Sequence, residues 1–204
     1  SGSSRGLGDV YKRQQMSVQS LNLFSMPIAK FAVDKWESKK DKLLELISFE
    51  GCDIVECQTD YYKYNTVSPY LSDFVNILTS DLDGIVEYYT QLLSDRYRGD
   101  CPCDTVDKWQ LWSQRYTRGQ YHGAHNHGLM NISCVLYVEF DEKEHFPTTF
   151  YSPFPDPYYG TINKIAPPVS EGEILTFPSM LLHESPASVS DKQRTIMSFN
   201  IPLR

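Results

Sequence analysis

No stretch of this 204-residue sequence is long and apolar enough to cross a membrane as a helix. Basic charge is also scarce: 19 Lys and Arg stand against 26 Asp and Glu, a formal net charge of −7. Without a basic stripe there is no electrostatic footprint for nucleic acid. The first residues hold no apolar signal-peptide core. Cysteines number five, an odd count, and none stand in the two-residue knuckle spacing of a zinc ribbon. Cys101-Pro102-Cys103 and the pair Cys52 and Cys57 therefore read as reduced thiols in a cytoplasmic protein. Ser1 to Gln15 lacks any periodicity and is read as a non-native, unstructured leader. It carries three basic residues and one acidic, so the remainder sits near about −9. Repeats and low-complexity linkers are absent too, which leaves residues 16–204 as a single domain.

Within that domain the helical pattern comes first. Leu21 through Val33 reads as an opening strand, with Pro27 marking a sheet edge. From Asp34, residues Trp36, Leu43, Leu44 and Ile47 fall on one side of a helix. Glu50 to Asn65 is irregular and tyrosine-rich, with room for a short strand. Ser68 and Pro69 have the chemistry of an N-cap and first helical position. The apolar stripe behind them runs from Leu71 through Phe74, Leu78, Leu82 and Ile85 to Leu93, which is a core-facing helix. Helical support thus spans 34–95. After the loop Gly99 to Asp107, strand patterns occupy Trp109–Tyr116, Ile132–Phe140, Thr148–Tyr151, Glu173–Phe177, Leu181–Glu184 and Thr195–Ile201. The expected architecture is α+β and mainly β, with a sandwich or barrel core over 108–202 backed by the N-terminal helices.

Histidine is rare, and three of the five fall in Tyr121-His122-Gly123-Ala124-His125-Asn126-His127. Alternate residues of an extended chain share a face, so His125 and His127 can aim two imidazoles at one metal ion. His183, set between a strand-like run and a proline, is the candidate for a third ligand, and Arg194 follows eleven residues later. His122 and His145 read as ordinary structural or surface histidines. Spacing alone leaves the metal open: two near histidines and one remote also describe a zinc hydratase or hydrolase.

A longer series of motifs shifts the balance. Arg115-Tyr116-Thr117-Arg118-Gly119-Gln120-Tyr121, His125-Asn126-His127 and Ile132-Ser133-Cys134-Val135-Leu136-Tyr137-Val138 come first. Pro168-Val169-Ser170-Glu171-Gly172-Glu173-Ile174-Leu175-Thr176-Phe177-Pro178-Ser179, then His183, then Arg194-Thr195-Ile196-Met197-Ser198-Phe199-Asn200, complete it. In this order they resemble the Fe(II)/2-oxoglutarate-dependent dioxygenase superfamily, in its prolyl-hydroxylase-like branch. The likeness is greatest to small members from marine bacteria and phages, which share an opening like Leu23-Phe24-Ser25-Met26-Pro27-Ile28 and a His-x-His…His pattern.

The resemblance implies a double-stranded β-helix of jelly-roll or cupin-like form with a metal near one mouth. It implies Fe(II) held by His125 and His183, with His127 favoured as the third ligand over a bystander whose place water fills, and 2-oxoglutarate as cosubstrate with O2. Arg194 would take the far carboxylate of the cosubstrate as a bidentate fork. Tyr137 aligns with a tyrosine that hydrogen-bonds the cosubstrate, Tyr116 with one near its metal-bound end, and Ser198 shares the face of Arg194 by alternation. His127 stands where the commonest pattern has Asp, so three neutral imidazoles would leave the centre one charge more positive than a two-histidine, one-carboxylate triad. Glu184, beside His183, would point to the opposite face.

The implied reaction is hydroxylation of a substrate coupled to decarboxylation of 2-oxoglutarate. The proline-stiffened loop Tyr151 to Gly160 reads as a wall of the substrate entrance or as a plain crossover. The alternatives are the zinc hydratase or hydrolase, a cupin-like binding protein without turnover, and a three-histidine thiol dioxygenase. An exposed barrel edge would offer a homodimer surface.

Overall fold

The computed structural model describes residues 26–52, 54, 56–63 and 68–204. The expected leader, Leu21 to Ser25 of the expected opening strand, and residues 64–67 lie outside the described residues. β1 (Ala29–Ala32) and α1 (Trp36–Leu46) precede the first long helix. A two-residue strand β2 (Gln58–Thr59) leads to α2 (Leu71–Leu92). The remaining strands are β3 (Gln110–Tyr116), β4 (His122–His125), β5 (Asn131–Glu139), β6 (Thr149–Tyr151) and β7 (Lys164–Ile165). They end with β8 (Glu173–Pro178), β9 (His183–Ser185) and β10 (Arg194–Pro202).

Two antiparallel sheets result, one of six strands in the order β1-β8-β5-β10-β3-β2 and one of four in the order β4-β9-β6-β7. Strict alternation explains how the large sheet serves two layers. Ile132, Cys134, Leu136 and Val138 of β5, with Met197, Phe199 and Ile201 of β10, pack against the helices. The intervening Val135, Tyr137 and Ile196 face the small sheet together with Phe150, Leu175 and Phe177. On β5 the helix-facing residues are apolar, and Thr176 of β8 is a polar one whose Oγ1 accepts from Tyr89 Oη of α2 at 2.9 Å; on the side of the small sheet Ser133, Ser198 and Asn200 are polar.

The helical stripe behaves as the periodicity predicts: Leu71, Phe74, Leu78, Leu82, Ile85 and Tyr89 are all buried. The helix start differs from the expectation. Ser68 is not the N-cap: Ser68 to Tyr70 forms a turn in which Leu71 N donates to Ser68 O, and the uncapped helix begins at Leu71. Magnitudes explain why this is tolerated. A missing cap costs about 1 kcal/mol, whereas six buried large side chains contribute on the order of 10 kcal/mol. Leu78 departs from helical dihedrals and marks a kink inside α2.

Two elements outside the expected barrel core complete it. β1 and β2 form the opposite edges of the six-stranded sheet. The edge position that Pro27 suggested for the opening strand is thus where β1 lies. β7 is an edge strand that the sequence pattern did not signal, because both its residues are exposed.

Gly172 shapes the turn into β8. Its φ is +79°, and a Cβ there would lie 2.7 Å from Cγ of the Trp36 indole. Its carbonyl accepts from Val33 N at 2.9 Å, which ties β1 to the turn. Gly172→Ala combines left-handed backbone strain with a clash against a ring, so unfolding free energy should fall by about 2–4 kcal/mol in a denaturant titration. A loss below about 0.5 kcal/mol would mean that the indole moves aside freely.

Candidate metal centre

Strand register creates the site. In the antiparallel pair β4–β9, His125 stands opposite His183 and His122 opposite Ser185. Directly paired residues hold their Cβ atoms about 5 Å apart on one face, so two imidazoles meet without help from a loop. His127 lies just past the end of β4. Its amide donates to Ser179 O at 2.9 Å, and Ser179 Oγ donates to Gly128 O at 2.9 Å. These bonds fasten the segment to the β8–β9 connection.

The three rings converge: centroids are 4.4 Å apart for His125 and His183, and 5.1 Å for His127 with each of the others. One nitrogen from each lies within 4.8 Å of the other two, the one such metal-ligand cluster among the described residues. Neither cysteine pair joins one. Glu184 also stays out of it, engaged by Tyr151 Oη and by Lys164 Nζ at 2.9 Å.

The outer nitrogens show which atoms are left for a ligand. His125 Nδ1 donates to Gly123 O at 2.7 Å and His183 Nδ1 to Leu181 O at 2.8 Å. A carbonyl only accepts, so both rings carry their proton on Nδ1. His127 Nδ1 donates to Asn200 Oδ1 at 2.9 Å, and Ser133 Oγ bonds the same oxygen at 2.8 Å. All three rings therefore present an unprotonated Nε2, the tautomer that a metal needs.

Electrostatics agree. Burial pushes the His183 imidazolium down to about 3, with the neighbouring histidines adding to the shift. His122 falls to about 4 through burial and the His125 charge, and His127 is lowered by burial. At neutral pH these rings are neutral donors. The sign for stability follows: the unfolded histidines take up protons near 6.5 and the folded ones do not. Metal-free stability should be full above about 6.5 and fall as the pH drops towards 4 and then 3. Denaturation at pH 7.5, 5.5 and 4.5 tests this; a flat profile would mean that the rings protonate in the folded state.

Beyond Ser185, two residues along β9 from His183, lies the other end of the site. Arg194 is buried, 3% exposed, and pairs in register with Tyr116 of β3. Its guanidinium carbon sits 4.0 Å from the Tyr116 ring centre. Nη1 donates to Phe146 O at 2.6 Å and Nη2 donates to Ser185 Oγ, while Nε has no partner. Among the described residues no carboxylate forms an ion pair with Arg194. A buried guanidinium without a counter-ion is costly, and an anion entering from the histidine side would relieve that cost.

The other expected residues are nearby in different ways. Tyr116 and Ser198 line the narrow cleft between the histidines and Ser185. Ser198 Oγ donates to Gln114 Oε1 at 3.2 Å. Tyr137 lies behind Thr148, donating to its Oγ1 at 2.9 Å and accepting from its amide at 3.1 Å. The loop Tyr151 to Gly160 lines a separate cavity of about 670 Å³ with Met26, Ile28 and Leu181, and none of its residues reaches the cavity at the histidines.

Sequence reading passed over three residues. His122, an ordinary histidine by its sequence context, stacks on His125 with centroids 4.1 Å apart. Gln114 Nε2 donates to its Nδ1 at 2.6 Å, and Asn200 orients His127 from 73 residues away. Alternation with Arg194 was the one available signal for Asn200. His145 is structural as expected, accepting from Asp141 N at 3.0 Å and donating to Lys192 O at 3.1 Å.

Residues 110–200 match the family model for 2OG-Fe(II) oxygenases, from the start of β3 to Asn200. Among solved structures, the chain is similar to the non-heme α-ketoglutarate-dependent carbocyclase SnoK from nogalamycin biosynthesis. Identity is 14% over 87% of this chain and 79% of that one, with a TM-score of 0.58. It is also similar to the viral collagen prolyl hydroxylase of Paramecium bursaria Chlorella virus-1, at 16% identity, 86% and 94% coverage and a TM-score of 0.51. A Pseudomonas putida prolyl-4-hydroxylase gives 12%, 88% and 94%, and 0.50. At such identities the likeness establishes the fold, a double-stranded β-helix. No curated protein matches the chain.

Proposed function

We propose that this chain is a 2-oxoglutarate- and iron(II)-dependent oxygenase in which His125, His127 and His183 hold the iron while Arg194 receives the cosubstrate. The observation that carries the assignment is the tautomer of the three rings. Each Nδ1 is committed to an oxygen acceptor, and each Nε2 is left for the same point. That argues for His127 as a ligand rather than a bystander, since Asn200 and Ser133 fix its ring with a free Nε2.

Bound iron(II) and 2-oxoglutarate supply oxygen activation, coupling decarboxylation of the cosubstrate to hydroxylation of a second compound. The chain's residues do the rest. Three neutral imidazoles bind a cation without adding charge. Arg194 neutralises the distal carboxylate of a five-carbon diacid, with Ser185 and Tyr116 holding the guanidinium in place. A zinc hydratase or hydrolase would leave that buried cation without a task.

The wider reading is that residues 16–204 act as one catalytic domain. Cys57, Cys101, Cys103 and Cys134 are thiols rather than disulfides, which supports a reducing, cytoplasmic setting. Among the described residues no helix is long and apolar enough to cross a membrane. A homodimer through an exposed sheet edge belongs to the same proposal.

Iron uptake under anaerobic conditions tests the ligand set. The expected stoichiometry is one iron per chain, and His127→Ala should weaken iron affinity at least tenfold. Unchanged affinity in that variant would make His127 a bystander and leave its place to water.

A further inference from the structure

Outside the three histidines, on the side away from Arg194, the barrel mouth opens into a cavity of about 440 Å³. That is room for one or two rings rather than a large substrate. Its aromatic wall is built of corners: Tyr61 meets Trp112 edge-on at 74° and Tyr62 at 87°, and Trp112 meets His127 at 62°. Faces at right angles suit a ring that presents C–H groups in several directions, because the aromatic face is electron-rich and the C–H edge is not. A flat base would be served by parallel faces.

The polar groups can be counted by what is already engaged. Gln114 uses its oxygen on Ser198 and its nitrogen on His122. Asn200 uses its oxygen on His127 and Ser133 and its nitrogen on Gln110 Oε1. Asn126 Oδ1 accepts from Gly128 N. What remains free towards the cavity is Gln110 Nε2, Asn126 Nδ2 and the phenols of Tyr61 and Tyr62. The Nε2–H of His122 joins them, since its Nδ1 is the acceptor from Gln114. Every one of these can donate. Among the described residues no Lys, Arg, Asp or Glu lines the cavity.

We propose that this cavity binds the substrate, and that the substrate presents an uncharged, oxygen-rich saturated ring there, of which a glycosyl unit is the type. The inference rests on the oxygenase reading above. Several neutral donors around an aromatic corner match several hydroxyl or ether oxygens on a C–H-rich ring, and a site made of such donors rejects a ligand that cannot fill them. A phosphate or a carboxylate would enter without a cation to meet it, and an ammonium without an anion. Nucleotides and free amino acids are thereby disfavoured.

The test uses iron-loaded full-length protein with 2-oxoglutarate, reading succinate release in air at millimolar probe concentration. Methyl hexopyranosides and methyl pentopyranosides should raise succinate release about tenfold or more. Glucose 6-phosphate and free proline should leave it at the substrate-free level. Asn126→Leu should raise the methyl glycoside concentration needed for half-stimulation at least tenfold. Stimulation only by charged probes, only by a neutral proline-containing peptide, or by none of the panel overturns the proposal. Those outcomes count against it when the visible iron–2-oxoglutarate charge-transfer band is present. A missing band instead removes the oxygenase reading on which the proposal stands.

Discussion

Arg194→Met is expected to leave iron binding intact and to weaken 2-oxoglutarate by about 30- to 3000-fold. The range comes from the cost of removing one partner of a buried, hydrogen-bonded charge pair, about 2–5 kcal/mol, at 1.4 kcal/mol per tenfold. Arg194 is buried to 3% exposure, has an unpartnered Nε, and forms no ion pair with a carboxylate among the described residues. Methionine keeps much of the volume over the Tyr116 ring and removes only the charge and donors. Iron should be indifferent, because none of its three proposed ligands bonds to Arg194. Calorimetric or spectroscopic titration of the cosubstrate into the iron-loaded variant measures the effect. Unchanged cosubstrate affinity would take Arg194 out of the site and leave its burial unexplained.

His183→Ala should abolish iron loading, from one ion per chain to almost none after dialysis. Outer-sphere partners of metal ligands are worth about 10–100-fold in affinity, so loss of a ligand exceeds that. No neighbour can substitute. Glu184 is on the other face with Tyr151 and Lys164, and His122 holds its proton on Nε2 through the bond from Gln114. The variant also tests folding, since a buried imidazole at 4% exposure is replaced by a small side chain beside Phe150 and Phe177. Thermal denaturation separates the two effects: a folded variant without iron supports the assignment, while a folded variant that retains iron at wild-type affinity shows that the ligands are elsewhere.

The parts of this centre that were legible in the sequence are those set by alternation and by motif order. His125, His127, His183 and Arg194 were visible because extended chain repeats every two residues and because the motifs follow one another along the barrel. The same period puts Arg194, Ile196, Ser198 and Asn200 on one face of β10, and Met197, Phe199 and Ile201 on the other against the helices. What stayed hidden depends on long-range register. Nothing local says that His122 faces Ser185, that Gln114 reaches its ring, or that Asn200 holds His127. Ser68 misled for a different reason: its cap chemistry is real, but the following Pro69 and Tyr70 turn instead, and burial of the α2 stripe outweighs a cap. β2 falls in the stretch from Glu50 to Asn65 where the sequence has room for a short strand, whereas the two-residue β7 is too short for any pattern to announce.

The most direct measurement is an anaerobic titration of 2-oxoglutarate into Fe(II)-loaded protein, followed through the visible metal-to-ligand charge-transfer band. The account predicts a saturable band at one cosubstrate per iron in the wild type, shifted to much higher concentration in Arg194→Met. Iron that binds with no band at any cosubstrate concentration would contradict it, and would assign the three histidines to a chemistry without 2-oxoglutarate.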